Sequence, residues 1–238
     1  FSKSIISVLF FFSNFFFQLN TGYFDIDAEY QPLLHTWSLS IEEQFYIFFP
    51  IFLIFFFKKG YKFYLSIVFI LSLLFSQFSG NLKFSYPFFD ETLLFYSSSF
   101  YSSYMFPFGR IWELILGFYA AVLLSERKHD LKRFGNFNSN LVILFSFILL
   151  IFSIFYFDKN TPYPSFYTLL PCLSIFFIII FIENCSFFKK ILSFKLLVKT
   201  GLISFSLYLI HFPLFSILKY KNYNLGDNLF FDFSIFII

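Results

Sequence analysis

The chain has 238 residues, 58% hydrophobic and 13% charged, where soluble globular domains run about 45–50% apolar and 25% charged; that balance excludes an ordinary water-soluble domain and defines a membrane protein. Its net charge of +3 is the difference between 17 basic and 14 acidic side chains, and so weak and dispersed a field excludes a nucleic-acid partner. The 48 Phe are scattered through apolar segments where Leu would serve equally, so they read as a compositional bias with no ligand role.

The first residues enter an apolar segment with no basic leader or small-residue cleavage site, and the last, LFFDFSIFII, stop inside another apolar run. Both ends are expected to be cuts through a longer protein. Apolar stretches of membrane-crossing length predict spans at 4–20, 41–57, 62–79, 106–124, 141–157, 165–183 and 202–218, with an incomplete one from 229. The expected fold is therefore all-α: a polytopic transmembrane helical bundle of about seven complete spans and a partial eighth, forming one domain over 1–238. The stretch 80–106, rich in Ser, Tyr and Phe, is long enough for an outer lid, a re-entrant loop or a plain connector.

Basic residues collect in alternate connections, KKGYK at Lys58–Lys62, ERKHDLKR at Glu126–Arg133 and the segment Glu183–Lys199. Short basic loops mark the cytoplasmic side, so the chain is expected to start inside and to open His35 and Glu42 toward the outer face. Cys172 and Cys185 stand thirteen residues apart on one expected helix, about 20 Å at 1.5 Å per residue, too far for a disulfide. Neither thiol has CxxC or HxxxH company, and no metal is expected.

Three stretches carry chemistry. The run HTWSLSIEEQFY, His35–Tyr46, leads directly into IFFPIFLIFFF, and a carboxylate at the mouth of a membrane helix is costly unless partnered or wetted. On a helix His35, Leu39, Glu42 and Tyr46 share a face, and Ser38 sits one turn before Glu42. A capping arrangement, with Ser38 or Ser40 as N-cap and Glu42 and Glu43 in the first turn, explains the acids. It does not explain why His, Trp, Gln and Tyr join them. In FPFGRIWELILG, Phe106–Gly117, Arg110 and Glu113 are three apart and can pair. They either neutralise one another at the membrane boundary or let Arg110 bind an anionic or carbonyl group that Glu113 orients. In GLISFSLYLIHFP, Gly201–Pro213, His211 lies inside a span; imidazole is easily tuned for proton transfer, although a lone intramembrane His also serves as an interhelical hydrogen-bond donor. His129, in the basic loop ERKHDLKR, reads as solvated.

Together these stretches resemble the acyltransferase-3 family of integral membrane O-acyltransferases. PLLHTWSLSIEEQFYIFFP at Pro32–Pro50, preceded by SNFFF and GYFD at Ser13–Phe17 and Gly22–Asp25, is similar to its most recognisable signature. FPFGRIWELILG resembles its Arg-x-x-Glu helix, YPSFYTLLPCLSIFFII at Tyr163–Ile179 its Pro-flanked later helix, and ISFSLYLIHFP at Ile203–Pro213 its Tyr-Leu-x-His-x-Pro motif. The resemblance implies transfer of an acyl group, commonly acetyl, from cytoplasmic acyl-CoA to a sugar hydroxyl of a cell-envelope polysaccharide or lipid-linked glycan. Acyl-CoA (acetyl-CoA) is then co-substrate with no bound cofactor, the glycan and the lipid bilayer are the partners, and the location is the bacterial inner membrane, crossed several times. Family members begin with a helix carrying a basic residue and a catalytic His, then an Arg-rich loop that handles the donor; neither is among these residues, so the piece alone is not expected to work.

On that reading His35, Glu42, Arg110 and Glu113 are the candidate catalytic residues: His35 and Glu42 orient or deprotonate the acceptor and Arg110 stabilises anionic charge. Trp37, Ser38, Glu43, Gln44, Tyr46, Trp112, Tyr208 and His211 are candidates for substrate binding, with Trp37 and Tyr46 stacking on a sugar ring. The competing reading is a transporter or flippase for a lipid-linked sugar or acyl donor, since intramembrane acids and His also mark transport pathways. It expects Gly/Pro-broken helices in symmetric halves, and the sequence shows no such symmetry.

Overall fold

The computed structural model describes residues 2–20, 30–78, 104–126, 136–158 and 161–220, which are helical and contain no strand. In chain order the helices are α1 (Ser2–Leu9), α2 (Ser13–Asn20), α3 (Thr36–Phe56), α4 (Tyr61–Phe78), α5 (Ile111–Glu126), α6 (Asn136–Tyr156), α7 (Leu169–Phe181), α8 (Ser186–Leu192) and α9 (Lys195–Tyr220). Short 3-10 turns at Phe57–Lys59, Pro107–Gly109, Phe166–Thr168 and Ile182–Asn184 extend or introduce them.

Among the described residues five helical stretches are long and apolar enough to cross a membrane: Thr36–Lys59, Tyr61–Phe78, Asn138–Tyr156, Phe166–Asn184 and Lys195–Ile217. They correspond to the expected spans at 41–57, 62–79, 141–157, 165–183 and 202–218. Large apolar side chains point out of the bundle, Ile54 at 77%, Leu202 at 79% and Phe155 at 83% exposed, a surface suited to lipid rather than water. The protein is an integral membrane protein.

Two other expected spans come out differently. The segment 4–20 is broken, because Phe11 adopts a left-handed backbone with φ of 58° and separates α1 from α2. No Pro or Gly causes this; the break is held from outside, where Gln44 Nε2 donates to the Phe11 carbonyl at 2.6 Å and satisfies an acceptor that the helix ladder leaves free. The segment 106–124 becomes a 3-10 turn at Pro107–Gly109 followed by α5, so its α-helix begins at Ile111 rather than at Phe106. The partial span from 229, the acidic connection Asp25–Glu29, the basic loop with His129, and the stretch 80–106 up to Ser103 lie outside the described residues.

Gly60, with φ of 85°, supplies the left-handed turn that a side chain would resist and reverses the chain from α3 into α4. Lys62 at the start of α4 pairs with Glu126 at the end of α5, so these two helices run antiparallel. Where helices approach closely the residues are small: Ser72, Ser76, Ser146, Ser153 and Ser174 are all buried. Ser146, Ser153 and Ser174 donate to the carbonyl four residues earlier at 2.7–2.8 Å, which satisfies their hydroxyls without a partner helix.

Two apolar clusters mark the two ends. Phe17, Leu34, Trp37, Ile41, Tyr104 and Met105 form one; Ala120, Ile143, Ile180, Phe181 and Cys185 form the other. Cys185 lies past the end of α7, at the N-cap of α8, rather than on one helix with Cys172, and both thiols are free.

Candidate active site

The starts of α3 and α5, the segment before α7 and the second half of α9 meet around the first apolar cluster. The turn Pro107–Gly109 delivers Arg110, and its geometry is pinned by Ser72 of α4. That hydroxyl donates to the Phe108 carbonyl and accepts the Trp112 N–H at 3.1 Å. Gln77, at the end of α4, accepts the Phe166 N–H at 2.9 Å, which ties the entry of α7 to the same end.

Arg110 is enclosed by rings. Its Cζ lies 4.7 Å from the centre of Tyr163, 5.5 Å from Trp37 and 5.6 Å from Tyr104, within the range in which an aromatic face attracts a cation. The nearest carboxylate is that of Glu113, with Nη1 to Oε1 at 3.4 Å. That separation is long for a hydrogen bond, and both atoms are buried without a hydrogen-bond partner among the described residues. A charge pair taken out of water needs hydrogen bonds to offset its desolvation, so this pair retains capacity for a polar ligand group. Tyr163 lies ahead of the α7 span; burial raises its phenol above the ordinary value, with Arg110 pulling the other way, and it is a neutral wall of the cage at physiological pH.

Beside this cage stands a pair of imidazoles. His35, 6% exposed, precedes the first residue of α3, and its ring lies 5.5 Å from that of His211 and 5.2 Å from that of Tyr208, with Phe212 stacked on it at 5.5 Å. Phe212 packs in turn on the cluster that contains Trp37 and Tyr104, which joins the imidazoles to the guanidinium cage. Both nitrogens of His35 are without a hydrogen-bond partner among the described residues. His211 Nδ1 lies 2.6 Å from the Tyr208 carbonyl; a carbonyl only accepts, so Nδ1 carries the proton and Nε2 keeps a lone pair in the neutral ring.

The HTWSLSIEEQFY run divides over several faces of α3. His35, Trp37 and Ser38 turn toward the other elements of the site, and Ser38 Oγ is 2.7 Å from the Tyr208 hydroxyl. Glu42 and Tyr46, on the same helical face as His35, are exposed, Tyr46 by 59%. The cause is α9: it covers this face at Tyr208–Phe212, whereas every residue from Lys195 to Leu207 is exposed, so nothing described closes over Glu42. Glu43 is part-buried and has no side-chain role in the site geometry. Gln44 is occupied by the α1–α2 break and by Asn14 Oδ1 at 3.0 Å. Trp112 is 0% exposed and packs edge-on against Phe69 of α4 at 6.2 Å, away from the cage, because its neighbour Arg110 takes the cage-facing position.

Sequence reasoning missed the layer beneath. Ser13 and Ser40 hydroxyls lie 2.7 Å apart, Thr36 Oγ1 donates to the Leu33 carbonyl at 2.6 Å and lies 3.1 Å from Ser13 Oγ, and Asn14 Nδ2 donates to the Met105 carbonyl at 3.2 Å. This buried network fastens α2 to the first turns of α3. Its signal was Ser-Asn of SNFFF and the alternating polar positions Thr36, Ser38 and Ser40. Tyr104 and Tyr163 were also missed as ring partners of Arg110. Among the described residues no three of His, Cys, Asp and Glu gather as a metal site would require.

The class is settled by comparison. The chain belongs to the acyltransferase-3 family: residues 4–238 match its acyltransferase domain. A Haemophilus influenzae protein of unassigned function is 32% identical over 174 residues, 72% of this chain and 67% of its own. A Staphylococcus aureus protein named a putative O-acetyltransferase is 32% identical over 223 residues, 89% of this chain and 34% of its own. The peptidoglycan O-acetyltransferase OatA of Listeria monocytogenes is 29% identical over 224 residues, 89% of this chain and 33% of its own. The chain thus spans about a third of the length of the O-acetyltransferases it matches. No solved structure matches it.

Proposed function

We propose that the protein crosses the bacterial plasma membrane several times and transfers an acyl group, acetyl by the names of its relatives, from acyl-CoA to a sugar hydroxyl of an envelope glycan. The site end of the bundle faces outward in this reading, because Lys58, Lys59, Lys62, Lys189 and Lys190 lie toward the opposite end and short basic loops stay in the cytoplasm. The observation that carries the proposal is one neighbourhood in which the Arg110 guanidinium, the Glu113 carboxylate and the His35 imidazole keep buried polar atoms without a hydrogen-bond partner among the described residues, with the part-buried His211 ring beside His35.

Acyl transfer to an alcohol needs a base, stabilisation of the developing oxyanion and exclusion of water. His211 Nε2 accepts the proton of the acceptor hydroxyl as its oxygen attacks the thioester carbonyl, which the pantetheine arm of acyl-CoA would present by reaching into the bundle from the cytoplasmic side. The C–O bond forms, the oxyanion is met by Arg110 Nη1, the C–S bond breaks, and the proton passes to the departing thiolate, with His35 as the second imidazole available to relay it. Glu113 holds the guanidinium, and Glu42 lies on the open side below His35, where an acceptor would enter. Trp37, 5% exposed and packed between Arg110 and Tyr104, is taken up by the cage, and the more open Tyr163 is the ring that can meet a sugar.

Mass spectrometry of the envelope glycan from a deletion strain complemented with the full-length gene tests this. Acyl groups lost in the deletion, restored by wild type and not restored by R110A support transfer. The broken α1–α2 helix favours a transporter instead, and on that reading the deletion removes the whole glycan from the surface rather than its acyl groups.

A further inference from the structure

α9 divides at Tyr208. Residues Lys195–Leu207 are all exposed, whereas Tyr208, His211, Phe212, Pro213 and Phe215 are part-buried and Ser216 is buried. At this boundary, among the described residues, the Tyr208 phenol grips the first turn of α3. The Tyr208 hydroxyl lies 2.5 Å from the His35 carbonyl and 2.7 Å from Ser38 Oγ. A hydroxyl has one proton, and the carbonyl can only accept, so Tyr208 donates to His35 and Ser38 donates to Tyr208. The same residue's own carbonyl receives His211 Nδ1–H. One side chain thus fixes where α9 rests against the first turn of α3, and one peptide carbonyl of that residue fixes the tautomer of His211.

From this geometry we infer that Tyr208 is a positioning residue, a clamp that holds His211 beside His35, and that it does not contact substrate. This deepens the proposed transfer reaction and rests on it for its kinetic consequence. The clamp explains a polar pattern that neither lipid anchoring nor substrate stacking accounts for. A phenol at a lipid interface would turn to water, and a sugar-stacking Tyr would present an open face, whereas this ring lies edge-on to His35 at 5.2 Å with its hydroxyl bound at both ends. Without the clamp the second half of α9 relies on packing, including its ring contacts with His35 and the Trp37 cluster, and a displacement of about 1 Å at a reacting group can cost a hundredfold in rate.

The test uses the full-length protein, purified in detergent, with two readouts. The first is carbethoxylation by diethyl pyrocarbonate read at His35 by peptide mass spectrometry, which needs no activity. Wild-type His35 is protected; Y208F raises its labelling several-fold, S38A raises it less, S38T restores most of the protection, and the S38A/Y208F pair labels no faster than Y208F. Maleimide labelling of Cys185, 0% exposed and in the other cluster, stays unchanged and excludes general unfolding. The second readout is acetyl transfer from acetyl-CoA to soluble peptidoglycan fragments: Y208F lowers kcat roughly ten- to a hundredfold with the acceptor KM unchanged. His35 equally protected in Y208F, or a rise in acceptor KM without loss of kcat, overturns the clamp. No transfer even by wild type overturns the transfer reading, and the clamp is then decided by carbethoxylation.

Discussion

The two ends of the helical bundle carry the same kinds of charge and use them in opposite ways. At one end Lys62 meets Glu126 and Lys189 meets Glu183 at 2.5 and 2.7 Å, with all four side chains about half or more exposed. At the other, Arg110 and Glu113 sit at 3.4 Å with 15% and 23% exposure, ringed by three aromatic side chains. Exposed pairs of good geometry contribute about 0–1 kcal/mol and mark the membrane boundary. A buried pair of loose geometry is a poor way to stabilise a fold. Its presence points to work done on something else, and the neighbouring His35, whose two nitrogens are buried without a hydrogen-bond partner among the described residues, points the same way.

Substitutions at the two ends sharpen or break this contrast. The largest effect belongs to Arg110→Ala, which removes the oxyanion partner and leaves Glu113 buried alone. Transfer should fall by about 100–1000-fold, and thermal unfolding in detergent should show a loss of about 3–5 kcal/mol. Arg110→Lys keeps the charge but not the planar fork among the rings, and should recover little activity. Next comes the network under the site. Gln44→Leu frees the Phe11 carbonyl at the α1–α2 break and should cost about 0.6–2 kcal/mol, seen as a lower melting temperature with acceptor KM unchanged. Ser13→Ala removes the hydroxyl that links Ser40 and Thr36, which keep the residue 13 N–H and the Leu33 carbonyl as partners, and should cost about 0.5–1.5 kcal/mol, read the same way. Smallest of all is Lys62→Ala at the other end, within about 1 kcal/mol of wild type and erased by salt. Equal damage from Lys62→Ala and Arg110→Ala would remove the distinction between the ends.

The helices themselves were legible because apolar runs of membrane length have few alternatives. Their interruptions were not. The break at Phe11 follows no Gly or Pro and depends on a Gln supplied from thirty-three residues away, a tertiary effect no local pattern records. The site was half legible. The spacing of Arg110 and Glu113 announced their pairing, and His211 stood out inside a greasy helix. Helical periodicity placed His35, Glu42 and Tyr46 on one face, and they do share it. What periodicity could not show is that α9 covers only the first turn of that face, so His35 is enclosed while Glu42 and Tyr46 are open. Trp112 illustrates the same limit: a Trp beside a buried Arg reads as a binding residue, yet α4 claims it for packing. Tyr104 and Tyr163, which complete the cage, come from segments distant in sequence and carry no local signature of that role.

In the proposed reaction Arg110 and His211, brought in by helices far apart in the chain, serve one centre. Transfer rates of R110A, H211Q and the R110A/H211Q pair in full-length protein reconstituted in lipid vesicles, with acetyl-CoA as donor and soluble peptidoglycan fragments as acceptor, test it most directly. Groups that act as a unit are strongly non-additive, so each single variant should fall close to background and the pair should fall no further. Transfer retained by H211Q, or losses that multiply in the pair, would show that the two groups do not share a reaction centre.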